Sequence, residues 1–104
     1  MRHRFTIRIR APGPRPAYHL IAEHLWGRGC DVDSDGNSRF PDDTQWTELT
    51  LSLRGVEEDS ARLDIDPASV EPLVLVVESL DEALCRRAAA FVVSKSGGTL
   101  EIDA

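Results

Sequence analysis

Polar and apolar residues alternate at several places along this chain, and each place predicts a strand. From Arg4 to Arg10, Phe5, Ile7 and Ile9 fall on one face and Arg4, Thr6, Arg8 and Arg10 on the other. That period of two is the mark of a half-buried strand. Trp46 to Arg54 repeats it, with Leu49, Leu51 and Leu53 set against Glu48, Thr50, Ser52 and Arg54. Leu63 and Ile65, against Arg62, Asp64 and Asp66, predict a shorter strand, and Pro67 and Pro72 bracket a connecting loop after it. Leu73–Val77 is a continuous β-branched-rich run, the pattern of a strand buried on both faces. Leu100 and Ile102, alternating with Glu101 and Asp103, predict one more half-buried strand.

Between these strands the period changes to three and four. Pro16 to Arg28 carries Ala17, Leu20, Ile21, His24 and Leu25 on one helical stripe, with Tyr18 at its margin and Trp26 roughly opposite. Proline suits a first helical turn, and Gly27 and Gly29 end the run. The second helix starts at a capping box, Ser79-Leu80-Asp81-Glu82, presents Leu80, Leu84, Ala88, Phe91 and Lys95 on one face, and stops at Gly97-Gly98. Three prolines between Ala11 and Pro16 end the first strand. Residues 30–45 are polar and acidic and predict a loop, with room for a short edge strand at its start, and Gly55 to Asp59 predicts an acidic turn. The order is strand, helix, two or three strands, helix, strand. It predicts a single α+β domain over 1–104: two helices on one face of a mostly antiparallel sheet of four to five strands. The ferredoxin-like, split βαβ arrangement is the leading topology. Its core is expected to hold Phe5, Ile7, Ile9, Ile21, Leu25, Leu49, Leu51, Val74, Val76, Leu84, Phe91 and Ile102.

Composition narrows the function. An apolar fraction of 41% with 29% charged residues is that of a globular protein with one modest core. The net charge of −6 argues against general nucleic-acid binding, for which a basic footprint is expected. That charge is uneven. Residues 1–15 contain five arginines and no acid, whereas the remainder carries 7 basic and 18 acidic residues. The longest apolar runs, Leu73–Val77 and Ala88–Val93, are too short for a membrane span, and the N-terminal alternation is unlike a secretory leader, so the expected setting is cytoplasmic. Cys30 and Cys85 are then expected to be free thiols.

Four stretches invite chemistry. Asp31-Val32-Asp33-Ser34-Asp35-Gly36-Asn37 resembles the start of an EF-hand calcium loop, with Asp31, Asp33 and Asp35 as alternate oxygen ligands. The twelfth position, however, is Asp42 in place of a bidentate Glu, Ser38 stands where an apolar anchor is usual, and no exiting helix follows, so no metal is expected. Arg8, Arg10 and Arg15 lie around the first strand and the next helix N-terminus, which points to anion binding. Acylphosphatases share the size and hold phosphate between first strand and first helix. The prolines here remove the donors such a cradle needs, so that activity is not carried over. His24 falls in a packing stripe, neither His19 nor His24 has a second His or a Cys at i+4, and Cys85 lies inside a helix, away from an activating N-terminus. Finally, Ala89, Ala90 and Val93 lie off the core stripe and, with Trp26, form an expected apolar contact patch.

These readings lead to a small acidic binding domain that works by protein–protein contact, without cofactor or catalysis. The partner would be another protein, a basic one by complementarity, and a homodimer is one candidate assembly. The profile is similar to that of immunity-type and antitoxin-type proteins and of accessory domains. The alternative is an anion-binding sensor or small enzyme that uses the arginine-bearing sheet face.

Overall fold

The computed structural model describes residues 4–56 and 61–102. In chain order the elements are β1 (Phe5–Arg10), α1 (Tyr18–Trp26), β2 (Val32–Gly36), β3 (Leu49–Leu53), β4 (Arg62–Val70), β5 (Leu73–Ser79), α2 (Glu82–Ser96) and β6 (Thr99–Ile102). Among the described residues the strands form one antiparallel sheet of six, in the order β2-β3-β4-β5-β1-β6. The molecule measures 36 × 34 × 20 Å. A thickness of 20 Å is that of one helix layer on one sheet, so among the described residues the second face of the sheet has no layer over it.

Alternation decides which side chains enter the core. Ile7 and Ile9 of β1, Leu49 and Leu51 of β3, Leu63 and Ile65 of β4, and Leu75 and Val77 of β5 all point under the helices and are buried. Each such side chain contributes about 1.5–3 kcal/mol by leaving water. Helix α1 closes over them with Ile21, Ala22 and Leu25, and α2 with Leu84, Cys85, Ala88, Ala89 and Val92. Both stripes are therefore turned from the expected ones. Leu20 is 41% exposed and His24 lies outside, while Trp26, expected opposite the stripe, is half-buried against the core. Phe91 sits at the margin of α2, where its ring stacks on His24 with centroids 4.5 Å apart.

Several boundaries differ from expectation for identifiable reasons. The sheet has six strands because the start of the acidic stretch pairs as β2, and β4 is longer than expected, running nine residues to Val70. Pro67 does not end β4. A bulge between Pro67 and Ser69 absorbs the missing donor, and the chain turns only at Glu71-Pro72, whose peptide bond is cis. The helix cap is Asp81 rather than Ser79: the Asp81 carboxylate accepts the Leu84 N–H at 3.1 Å. Ser79 is still in β5, where its hydroxyl donates to the Arg62 carbonyl at 2.9 Å and accepts the Asp81 N–H. Helix α1 begins at Tyr18, two residues after Pro16. Ile102, expected in the core, is 51% exposed, because β6 is an edge strand at the rim of the helix layer. Asp103 and most of the turn after Gly55 lie outside the described residues.

Candidate functional site

The helix-free face of the sheet gathers most of the charge. Registers place Asp35 of β2, Thr50 of β3, Asp64 of β4, Glu78 of β5 and Thr6 of β1 in one row across the strands. Asp64 and Glu78 are thus cross-strand neighbours of like charge, an arrangement that destabilises a sheet by itself. Arg4 resolves it by donating to both, to Asp64 at 2.7 Å and to Glu78 at 3.1 Å. Asp64 also receives Arg62 at 3.2 Å and the Thr50 hydroxyl at 2.8 Å. Burial alone would push the Asp64 carboxyl up, but these hydrogen bonds, from Arg62, Thr50 and Arg4, outweigh it and hold it below its ordinary value.

The arginines expected to bind an anion are committed within the chain. Arg10 grips Glu101 of β6 through both Nε and Nη2, and hydrogen bonding from Arg10 lowers the Glu101 carboxyl, with the charge of Arg8 acting in the same sense. In the register, Arg8 stands opposite Val76 and Arg10 opposite Val74. Arginine stems cover apolar neighbours while their heads stay in water. That accounts for an almost buried Val74, at 7% exposure, on a face with no helix over it.

Arg15 is not a surface residue at all. It is 7% exposed, its Nε donates to the Trp46 carbonyl and its Nη1 to the Gly13 carbonyl, both at 2.9 Å. Its own N–H donates to the Thr44 carbonyl, and the Trp46 indole returns a bond to the Pro16 carbonyl at 2.8 Å. Burial lowers the Arg15 guanidinium from its ordinary value, with Asp43 acting against that. Buried Asp43 in turn accepts the backbone N–H groups of Arg39 and Gln45, which hold its carboxyl low. Arg15 therefore latches the loop after β1 to the loop before β3, apart from Arg8 and Arg10 on the sheet. Sequence reasoning missed this because the two halves of the latch lie about 30 residues apart. The available signals were an arginine amid prolines and a tryptophan whose N–H needed a partner.

The acidic stretch is extended, so Asp31, Asp33 and Asp35 lie in line about 6.6 Å apart rather than around an ion. Arg54 reaches Asp33 at 2.7 Å and Asp31 at 3.6 Å, and Asp35 accepts the Gly36 N–H. Among the described residues no group of three or more His, Cys, Asp or Glu side chains converges as metal ligands do. Gly36 has φ of +140°, and a Cβ there would collide with the Glu48 carbonyl, so β2 ends on the one residue that fits. Beyond it the chain folds back and leaves a cleft of about 270 Å³ on the helix side of β2, walled by Tyr18, Ser34, Gly36, Phe40 and Pro41.

The expected patch on α2 is not assembled. Ala89 is wholly buried on the sheet and Val93 is half-buried against the core, because the helix presents Cys85, Ala89 and Val92 inward; only Ala90 faces out. The loop after β1 also lies on this end of α2, where the Gly13 N–H donates to the Ser96 carbonyl at 2.8 Å. Exposed large apolar residues lie elsewhere, at Phe40, Val70, Leu100 and Ile102 among others. Cys85 is buried near the Val77 and Phe5 carbonyls, and burial pushes its thiol up to about 11, so it is not an activated nucleophile. Both cysteines are free thiols. No helix among the described residues is long and apolar enough to cross a membrane. Comparisons with protein-family models, with curated proteins and with solved structures find no match to this chain.

Proposed function

We propose that this chain is a small acidic binding domain that acts by contact with another protein in the cytoplasm, with no catalysis and no cofactor of its own. The observation that carries the reading is the self-neutralised sheet face. Arg4 is held by Asp64 and Glu78, Arg10 by Glu101, and Arg15 by backbone carbonyls, so the anion-sensor reading loses most of the cations it required. A broad, helix-free face of paired charges suits a polar contact surface, where complementary charge sets partner choice and association rate more than affinity. The net charge of −6 favours a basic partner, such as the nuclease that an immunity-type protein would meet. The fold supports this reading only in outline. Strand order β6-β1-β5-β4, with helices between β1 and β4 and between β5 and β6, supports reading the fold as a ferredoxin-like core that carries the hairpin β2-β3 as an insertion. That fold serves many unrelated functions.

The test is capture of partners by tagged protein at low and high salt, followed by a footprint of the retained complex. A partner held at low salt and released as salt screens the surface supports the reading. A chain that retains nothing at low salt, and sediments alone, overturns it.

A further inference from the structure

We infer that the free edge of β2, with the cleft on its helix-facing side, takes one extended segment of a partner protein in which basic and apolar residues alternate. This rests on the protein-contact reading above and gives that contact its place. The hydrogen bonds fix which backbone groups are available. Arg54 donates to the Asp31 carbonyl and Asn37 to the Glu48 carbonyl, so the odd-numbered residues of β2 turn their backbone groups toward β3. Alternation then turns those of Val32, Ser34 and Gly36 outward, where no strand pairs with them among the described residues; of the three N–H groups, that of Gly36 is taken by the Asp35 carboxylate. A strand laid along this edge continues the ladder with main-chain bonds, and alternate pockets read its side chains.

The two faces of the edge ask for different side chains. On the helix side, Ser34 and Gly36 lead into the cleft, which is walled by Tyr18, Phe40 and Pro41, with Phe40 54% exposed, and also by the polar Ser38 and Arg39. Its volume, about 270 Å³, falls below the range of sites for drug-sized ligands and suits one side chain, whose apolar part would lie against Tyr18, Phe40 and Pro41. On the helix-free side stand Asp31, Asp33 and Asp35, and Arg54 is the cation set against the first two. Among the described residues Asp35 holds only the Gly36 N–H. An incoming strand therefore meets surplus negative charge on one face and, on the other, a recess of mixed polarity whose apolar part is Tyr18, Phe40, Pro41 and Leu49.

The same charges exclude a second copy of this chain. Antiparallel pairing of β2 with itself sets Asp33 and Asp35 against carboxylates of the other copy, and like charges directly opposite destabilise a sheet. Charged edge strands are a standard guard against such self-pairing. A basic strand is the occupant these aspartates admit.

The probe is a short fluorescein-labelled peptide alternating arginine with leucine, compared with its glutamate-for-arginine counterpart and with a backbone N-methylated version. Saturable binding of the arginine peptide is expected, with shifts and slowed exchange at the Val32 and Ser34 amides. Asp35→Lys should weaken it about tenfold or more, the loss expected for one charge-assisted contact. Because Asp35 is exposed and extended, this variant should melt as the wild type does. N-methylation, which leaves the protein untouched, should abolish binding. Equal binding by Asp35→Lys, equal binding of the N-methylated peptide, or no saturation at about 1 mM each overturns the inference. A partner captured as above whose footprint omits β2 also overturns it while leaving the protein-contact reading standing. A chain that captures nothing and yet binds the peptide at β2 separates the two in the other direction.

Discussion

Trp46 has the most to do of any single side chain here. It is 1% exposed, its indole N–H holds the Pro16 carbonyl, and its own carbonyl receives Arg15. Packing and polar satisfaction meet in one residue, so truncation removes both. Trp46→Ala should cost about 3–5 kcal/mol in urea unfolding, the range for large aromatic truncations. A loss below about 0.5 kcal/mol would show that the loop latch carries no stability. Residues whose environment is made by their own strand were legible in the sequence: Ile7, Ile9, Leu49 and Leu51 are buried as alternation required. Residues whose environment is made by distant loops were not. Arg15 reads as a surface cation because charge is normally exposed, and only the loop at residues 43–46 makes it a buried latch. Asp43 was unreadable for the same reason, its partners being backbone N–H groups that depend on one loop conformation.

At the scale of elements, periodicity located both helices and most strands, and tertiary contacts then set what periodicity left free. Each helix was found within about two residues, but its buried face was turned, since Ile21-Ala22-Leu25 and Leu84-Cys85-Ala88-Ala89-Val92 are as consistent with the sequence as the stripes first expected. Small residues distinguish the observed faces: Ala22 and Ala89 are buried and allow close approach to the sheet, while the larger Leu20 and Phe91 lie outside or at the margin. The length of β4 was hidden by Pro67, which is tolerated only because a bulge sits there. The cap of α2 can be tested directly. Asp81→Ala removes the bond to the Leu84 N–H and should cost about 0.5–2 kcal/mol. Glu82→Ala, which would matter equally in the expected capping box, should cost only about 0.3–0.5 kcal/mol, the worth of its exposed i,i+4 pair with Arg86. Equal costs for the two variants would restore the capping box and displace the Asp81 cap.

Across the whole molecule two electrostatic effects compete, and acidification separates them. The net charge of −6 repels itself, and protonating carboxylates would relieve that repulsion and raise stability. Against it stand carboxylates that the fold holds below their ordinary values: Asp43 by backbone N–H donors, Asp64 by Arg62, Thr50 and Arg4 despite burial, and Glu101 by Arg10. A carboxyl lowered in the folded state contributes stability that is complete above its unfolded value, about 4, and is lost as pH falls through the folded value. Local pairing is short-ranged and partly shielded from solvent at Asp43 and Asp64, whose side chains are only 2% and 13% exposed, whereas the general repulsion is screened by salt. The local effect should therefore prevail. The urea midpoint at moderate salt is expected to hold steady from neutrality to about pH 5 and to fall below about pH 4. Arg4→Met supplies the internal control. Without the bridging guanidinium, the facing Asp64 and Glu78 repel, so the variant is less stable at neutral pH and has less pairing to lose in acid. Its acid limb should be flatter than that of the wild type. A wild type that gains stability between pH 5 and pH 3.5, or a variant whose limb runs parallel to it, would show that overall repulsion rather than the paired sheet face governs this protein's response to pH.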